Sequence, residues 1–97
     1  MRRFTIGRSE ECDVVVDGPS VSRRHACLTL SPDGSLHFED SDSTNGSFLV
    51  EGANLTRIKS TYLEPHSRIQ LGKVRITMAE ILQKIHDRIR QNRAAPG

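Results

Sequence analysis

Three short polar clusters in the chain carry side chains that can bind an anion. Arg8 follows Gly7, a second cluster reads Ser22-Arg23-Arg24-His25, and a third reads Ser43-Thr44-Asn45-Gly46. A guanidinium is always charged and presents a planar fork of donors, which suits bidentate contact with phosphate oxygens. Hydroxyl groups donate and accept hydrogen bonds, and an amide offers both a donor and an acceptor to an extended peptide backbone. The residue types therefore point to ligand binding, although each cluster alone is short enough to occur by chance.

The second cluster also has a spacing that could suggest catalysis. Ser22 and His25 are three residues apart, like a nucleophile and its base. A hydrolase would also need a group that orients the base and an oxyanion hole within a concave site. No nucleophile-elbow motif accompanies the pair. We therefore expect no catalytic residues and no enzyme activity.

Short apolar-polar alternations run through the first 78 residues and predict β-strands. No segment with helical periodicity interrupts them, so a βαβ nucleotide-binding fold is excluded. Turn signals separate the alternations, and Ser31-Pro32-Asp33-Gly34 predicts a hairpin between the third and fourth strands. We expect an all-β sandwich or barrel. The alternating residues are Phe4 and Ile6; Val14 and Val16; Ala26, Leu28 and Leu30; Leu36 and Phe38; Phe48 and Val50; Ile69 and Leu71; and Val74, Ile76 and Met78.

The pattern changes at Thr77, where a helix is expected over residues 79–92. Thr77 and Glu80 have the spacing of a capping box. A helix of this length is marginal by itself in water, so its apolar stripe should be covered. The alternatives are docking on the sandwich, a connection to a further domain or membrane-proximal segment, and self-association. The stripe consists of Ile81, Leu82, Ile85 and Ile89.

Length and charge limit the remaining options. The 97 residues allow one compact domain. We divide the chain into a binding domain, 1–78, and a C-terminal segment, 79–97, that holds the amphipathic helix and a tail frayed over 94–97. The net charge of +2 is too small for a strong nucleic-acid field, so we expect no nucleic-acid partner. No apolar run exceeds three residues, so we expect no insertion into a membrane.

The two cysteines cannot form a disulfide framework. Cys12 has the strand parity of Val14 and Val16 and is expected to be a small buried apolar residue, whereas Cys27 faces another way. Without further Cys and His at ligand spacing we expect no metal site, and nothing calls for a cofactor. The start of the chain lacks the apolar segment of a signal peptide. A reducing, cytoplasmic setting fits these observations.

Taken together, the clusters closely resemble the motifs of the forkhead-associated (FHA) domain. That family has Gly-Arg, then S-x-x-H, then a D-x-x-S-T-N-G-T-like run, which here begins at Asp40. The resemblance extends from about Phe4 to Met78. It implies a β-sandwich of about eleven short strands with loops at one end that bind phosphothreonine peptides, here with an added C-terminal helix. The implied partner is a threonine-phosphorylated protein, a Ser/Thr kinase or its substrate.

The resemblance also implies roles for individual residues. The phosphopeptide site would consist of Arg8, Ser22, Arg23, Thr44 and Asn45. Arg8, Ser22 and Thr44 match family residues that contact the phosphate, and Asn45 matches one that holds the peptide main chain. The position of Arg23 varies in residue type within the family, so its role is less defined.

Four more residues would support the binding loops: Gly7, His25, Ser43 and Gly46. Simpler readings exist beside these roles. Arg8 could be a surface cation, Ser22 a turn residue, and Asn45-Gly46 a plain hairpin turn. Arg24 could add positive potential or simply be solvated.

A second function is compatible with the same fold. FHA-like domains of some secretion-apparatus proteins act as assembly scaffolds without binding phosphate, and they typically lack several phosphate contacts. The presence of Arg8, Ser22, Thr44 and Asn45 together argues against this alternative.

Overall fold

The computed structural model describes the backbone of residues 1–94 and the side chains of residues 1–90. Residues 95–97, which make up most of the expected frayed tail, lie outside the described residues. The described chain forms nine strands followed by one helix. They are β1 (Arg2–Gly7), β2 (Val14–Val15), β3 (Ala26–Leu30), β4 (Leu36–Asp40), β5 (Ser47–Glu51), β6 (Asn54–Ile58), β7 (Ser60–Leu63), β8 (Arg68–Leu71), β9 (Val74–Thr77) and α1 (Met78–Ala94).

The strands form two sheets that pack face to face. Sheet 1 has the order β2-β1-β3-β4-β7, and sheet 2 has the order β6-β5-β8-β9. β1 and β2 run parallel, and the other neighbouring strands are antiparallel. The expected hairpin joins β3 to β4, with a hydrogen bond from Gly34 N to Ser31 O of 2.9 Å. The predicted all-β sandwich is confirmed.

Most of the alternating apolar residues of the strands make the core. The expected alternation is wrong for β5, where Leu49 and not Phe48 or Val50 packs against the core cluster, because three consecutive apolar residues leave the parity undefined. In sheet 1, Phe4, Leu28 and Phe38 are direct cross-strand neighbours and are all buried. In sheet 2, Ile69 lies between its cross-strand neighbours Leu49 and Ile76. This second row belongs to the same core cluster as the row in sheet 1. Burying one such side chain stabilises the fold by about 1.5–3 kcal/mol. These rows fix the register of both sheets, because a slip of one residue would turn every apolar side chain outward.

The strand count is lower than the family resemblance implied, nine instead of about eleven. The segments 16–25 and 41–46 do not add strands. They are held by isolated backbone bonds, such as Ser41 N to His25 O at 2.9 Å, and by side chains rather than by ladders. The polar residues that suggested binding loops therefore hold these segments with side-chain hydrogen bonds.

Helix α1 docks on the sandwich. Thr77 Oγ1 caps it by accepting a hydrogen bond of 3.1 Å from Glu80 N. Ile81 and Ile85 are buried in the core, and Arg88 Nε lies 3.4 Å from a carboxylate oxygen of Asp13. Leu82 and Ile89 are partly buried against the same core, so all four stripe residues pack within the chain. Self-association through the helix stays a prediction. Within the described residues no helix is long and apolar enough to span a bilayer.

Candidate functional site

The three polar clusters meet at one end of the sandwich, which we call the loop end. It consists of residue 8 after β1, residues 16–25 between β2 and β3, and residues 41–46 between β4 and β5. Arg8 N donates to Ser22 O at 3.0 Å, and Thr44 N donates to Ser22 Oγ at 3.0 Å. Ser22 therefore connects the first cluster with the third.

Gly7 and Arg8 form the first side of the loop end. A Cβ at Gly7 would lie 2.1 Å from Arg23 O, so only glycine allows the two backbones to approach this closely. The exposed Arg8 side chain donates from Nε to Val21 O at 3.0 Å. This bond orients the guanidinium and leaves the N–H donors of its two terminal nitrogens for a ligand. No carboxylate of the described residues pairs with it.

Ser22 is bonded both to Arg8, through its carbonyl, and to Thr44, through its hydroxyl. Ser22 Oγ uses one lone pair to accept the bond from Thr44 N, and its own proton remains to be donated. Thr44 is exposed. The same hydroxyl can thus hold two loops together and donate to an anion above them.

Asn45 is anchored to a residue that the sequence analysis did not assign. Its Nδ2 donates to Ser20 O at 2.9 Å, and Ser20 Oγ accepts a bond of 2.8 Å from Lys73 N. A Cβ at Gly72 would lie 2.3 Å from Ser20 O. Asn45 is thus positioned by the β8–β9 turn, a contact between segments far apart in sequence. Its amide oxygen remains an acceptor for a peptide backbone.

His25 is fully buried and braces both loops. Its Nδ1 accepts a hydrogen bond from Ser22 N and its Nε2 donates to Gly46 O, each at 3.0 Å. This pair of partners requires the neutral tautomer with the proton on Nε2. Burial lowers the pKa of His25, and the bond to Gly46 and the charge of Asp40, 3.8 Å away, oppose that shift only in part. His25 therefore sits as a neutral support, with no nucleophile bonded to its ring.

Asp40 organises the 41–46 loop, although the sequence analysis used it only as part of a motif. Its carboxylate accepts bonds from Ser43 N at 2.8 Å, Ser43 Oγ at 2.6 Å and Ser47 Oγ at 2.5 Å. Burial alone would raise the pKa of Asp40, but these hydrogen bonds outweigh it and hold the pKa below its ordinary value. The D-x-x-S spacing is a local turn signal and could have identified the pair of Asp40 and Ser43. The signal for Ser47 is weaker, because it lies on β5.

Gly46 closes the same loop with a positive φ of 86°. Ser43 Oγ accepts a bond of 3.0 Å from Gly46 N, which accounts for the supporting role expected of Ser43. A Cβ at Gly46 would lie 3.2 Å from both Arg57 Nε and Phe48 Cζ. The loop therefore ends under side chains of β5 and β6.

Arg23 and Arg24 are both exposed, and neither forms a salt bridge with a carboxylate of the described residues. The contribution of Arg23 that the geometry records comes from its carbonyl, which accepts bonds from Ser9 N at 3.2 Å and Cys12 Sγ at 3.1 Å. Cys12 is buried, as expected. The described residues contain no cluster with the donors for a metal ion.

The loop end can thus present an exposed guanidinium, a hydroxyl donor and an amide to a single ligand. Each of these groups is oriented by a hydrogen bond to the backbone of a neighbouring loop. Preorganised donors of this kind suit an oxyanion that is attached to an extended peptide.

Comparisons with known proteins show the family and the fold. The FHA domain family model matches residues 4–72. The chain is 36% identical over 76 residues to the oxoglutarate dehydrogenase inhibitor of Corynebacterium diphtheriae, which covers 78% of this chain and 50% of that protein. The chain spans about half the length of the curated relatives it matches.

Two solved structures show the same fold. The N-terminal FHA domain of S. cerevisiae Rad53p, in complex with a phosphothreonine peptide, is 28% identical, with a TM-score of 0.61 over 73% of this chain and 56% of that one. Mycobacterium tuberculosis EmbR, in complex with a low affinity phosphopeptide, is 26% identical, with a TM-score of 0.65 over 77% of this chain and 19% of that one. Because the family model covers well over half of the sequence, this chain belongs to the FHA domain family.

Proposed function

We propose that this chain is a non-enzymatic module that binds a threonine-phosphorylated segment of a partner protein in Ser/Thr kinase signalling. Arg8 and Ser22, with Arg23 beside them, bind the phosphate in this proposal. Thr44 completes that contact, and Asn45 holds the peptide main chain. The observation that carries the proposal is the bond from Thr44 N to Ser22 Oγ, which joins the loop of Ser22 to the loop of Thr44 and Asn45.

The charges support this assignment. A phosphothreonine brings about −1.5 to −2 charges and strong acceptor oxygens. Each hydrogen bond to a charged group contributes about 1.5–3 kcal/mol. Three or four such bonds, less the cost of association, correspond to a binding free energy of about −8 kcal/mol, which is a Kd in the micromolar range. The guanidinium of Arg8 has no competing carboxylate among the described residues, so this attraction is not offset locally.

The comparisons support the class of function. Two proteins of the same fold are described in complex with phosphopeptides. The curated relative is named as an inhibitor, which supports a module that acts by binding and not by catalysis. We place the chain in the cytoplasm, where a kinase-phosphorylated partner is available and where two free cysteines stay reduced.

A binding titration tests the proposal. A fluorescent degenerate phosphothreonine peptide library and its unphosphorylated twin are titrated with the chain and with Arg8→Ala. Arg3→Ala is the matched control, because Arg3 is an exposed arginine at the opposite end of the same strand. We expect phosphate-dependent binding that falls at least tenfold in Arg8→Ala and stays unchanged in Arg3→Ala. Equal binding of the folded protein to both libraries, or binding to neither, would refute the proposal in favour of a phosphate-independent scaffold.

A further inference from the structure

Sheet 2 carries a second polar surface that the proposed site does not use. Leu49 packs toward the core, so its neighbours Phe48 and Val50 point to the outer face. The register places Arg57 and Gln70 beside Phe48, and Arg75 next to Gln70. It places Leu55 and Arg68 beside Val50. We call this surface the arginine face: Phe48, Val50, Leu55, Arg57, Arg68 and Arg75.

The arginine face has one sign of charge. Arg57, Arg68 and Arg75 are all exposed, and none pairs with a carboxylate of the described residues. Arg75 is held in place because its Nε donates to Gln70 Oε1 at 3.1 Å, and the Gln70 amide donates in turn to the backbone of the β8–β9 turn. Acidic residues border the face: Glu80 lines a depression between Arg68 and Arg75, and Glu51 and Glu64 line a neighbouring depression together with Arg68. Three exposed arginines on one sheet face create a positive potential that attracts an acidic ligand.

The shape of this face also suits side chains of a partner. A depression of about 370 Å³ lies between Arg68 and Arg75, and the buried Val50 contributes to its lining. Leu55 is 46% exposed at the edge strand β6. Alternating guanidinium and apolar groups match a protein segment that carries both carboxylates and apolar side chains. The uniform phosphate backbone of a nucleic acid would match these alternating groups less well. The small overall net charge of +2 also argues against a nucleic-acid ligand.

The arginine face is continuous with the loop end. A Cβ at Gly46 would touch Arg57 Nε and Phe48 Cζ at 3.2 Å, so both side chains lie directly against the residue that follows Asn45. Along an extended strand, Phe48 lies roughly 7 Å and Val50 roughly 13 Å beyond Gly46, at about 3.3 Å per residue. A peptide held by Asn45 would therefore reach the first arginines after about two residues and Arg68 after about four or five.

From this geometry we infer that the arginine face binds an acidic stretch of the same partner, roughly two to five residues from its phosphothreonine. The inference rests on the proposed function and adds the class of partner to it: a phosphothreonine segment flanked by Asp or Glu. Arg57 and Arg75 meet the nearer carboxylates, and Arg68 meets the farther ones. The loop end alone would bind all phosphothreonine segments equally. The positive charge of the arginine face then favours the segments that also carry acidic residues.

The test uses degenerate phosphothreonine peptides with a block of five Glu or five Gln that begins two residues from the phosphothreonine, on either side. The chain is compared with the triple variant Arg57→Ala/Arg68→Ala/Arg75→Ala. The control triple variant is Arg3→Ala/Lys84→Ala/Arg90→Ala, which removes the same number of exposed positive charges elsewhere. Circular dichroism and thermal melting verify folding. The single variant Arg68→Gln repeats the measurement should the triple variant fail to fold.

At low salt we expect the Glu block on one side to tighten binding about tenfold over Gln, because three exposed charge pairs act together. The triple variant should lose this gain, the control variant should keep it, and Arg68→Gln should lose about threefold. Equal affinity for Glu and Gln peptides, with phosphate-dependent binding intact, would overturn the inference and leave the proposed function standing. Absence of any phosphate dependence would instead refute the proposed function, and the inference with it. Tighter binding of a twelve-nucleotide single-stranded DNA than of the Glu peptides, lost in the triple variant, would reassign the face to nucleic acid.

Discussion

The hydroxyl oxygen of Ser22 accepts a hydrogen bond from the backbone N–H of Thr44, across 22 residues of sequence. The atom that would donate to a phosphate oxygen is thus the atom that sets the separation between two binding loops. Ligand contact and loop spacing depend on a single side chain, so a change there should affect both.

Replacement of Ser22 by alanine tests this double role. We expect phosphopeptide binding to fall about tenfold to a hundredfold, since one hydrogen bond to a charged group and the support of Thr44 are both lost. The free energy of unfolding should fall by only about 1 kcal/mol. Fluorescence anisotropy and urea unfolding measure the two effects. Ser41→Ala, at an exposed position of the 41–46 loop, should change neither, and an equal loss of binding in both variants would contradict the assignment.

The buried His25 predicts a specific dependence of stability on pH. Because its folded-state pKa lies below the ordinary value of about 6.5, the unfolded chain binds the proton first as the pH falls. The stabilisation is therefore complete above about pH 6.5 and is lost between that value and the lowered pKa, with a slope of at most about 1.4 kcal/mol per pH unit. Urea unfolding from pH 8 to pH 5 should show the decline. It should persist in His86→Gln, an exposed position, and disappear in His25→Gln.

Asp40 should be more important for stability than its neighbour Asp42. In the native protein the hydroxyls of Ser43 and Ser47 donate to the Asp40 carboxylate. Asp40→Asn keeps the shape of the side chain but replaces one acceptor oxygen with an NH₂ donor, so we expect the free energy of unfolding to fall by about 2–4 kcal/mol. Asp42→Asn should be nearly neutral, because Asp42 is exposed and both residues tolerate its φ of 56°. Urea unfolding at pH 7 distinguishes the two variants. Equal stability of both would show that the bonds to Asp40 contribute little.

The low pKa of Asp40 adds a second expectation, at more acidic pH. The stabilisation from its carboxylate is present above the ordinary carboxyl pKa, about 3.9, and is lost as the pH falls below it through the lowered folded-state pKa. Acid unfolding of the chain, followed by circular dichroism, should therefore be shifted or flattened in Asp40→Asn. An acid transition identical to that of the chain itself would exclude Asp40 as its cause.

Gly7 and Gly34 are glycines for two different reasons, the first because another backbone approaches it closely and the second because its φ is positive. A Cβ at Gly7 would lie 2.1 Å from Arg23 O, so Gly7→Ala must move the backbone beside Arg8. We expect it to lose phosphopeptide binding and at least about 2 kcal/mol of stability. Gly34 has a φ of 89° and open space around it, so Gly34→Ala should cost only about 1 kcal/mol of strain and leave binding intact. Thermal melting and the same titration check both. Intact binding in Gly7→Ala would mean that the loop adjusts.

Much of the sandwich could be predicted from local patterns. Phe4, Leu28 and Phe38 alternate with polar residues and form one buried row, and Pro32 and Gly34 mark the hairpin between β3 and β4. The parallel pairing of β1 with β2 could not be predicted, because β2 has only two residues and its pattern does not show in which direction it pairs. For β5 the prediction from alternation, which used Phe48 and Val50, was wrong, because Leu49 packs against the core cluster. Leu49 is apolar like Phe48 and Val50, so alternation does not tell which of them faces the core.

The candidate site shows the same limit. Arg8, Ser22, Thr44 and Asn45 belong to recognisable motifs, and the structure brings them to one end of the fold. Ser20 carries no comparable signal. Its role comes from contacts with Asn45 and the β8–β9 turn, which pair only in the folded chain.

The docked helix extends the folding unit beyond the residues that match the family model. The match to the family model ends at residue 72, but Ile76, Met78, Ile81 and Ile85 beyond it belong to the core. A fragment cut at that point would lack an edge strand and expose an apolar surface at the opened core, which favours aggregation. Transplanting the recognition module into another protein would therefore require residues 1–89, with the helix serving as a lid that seals the sandwich.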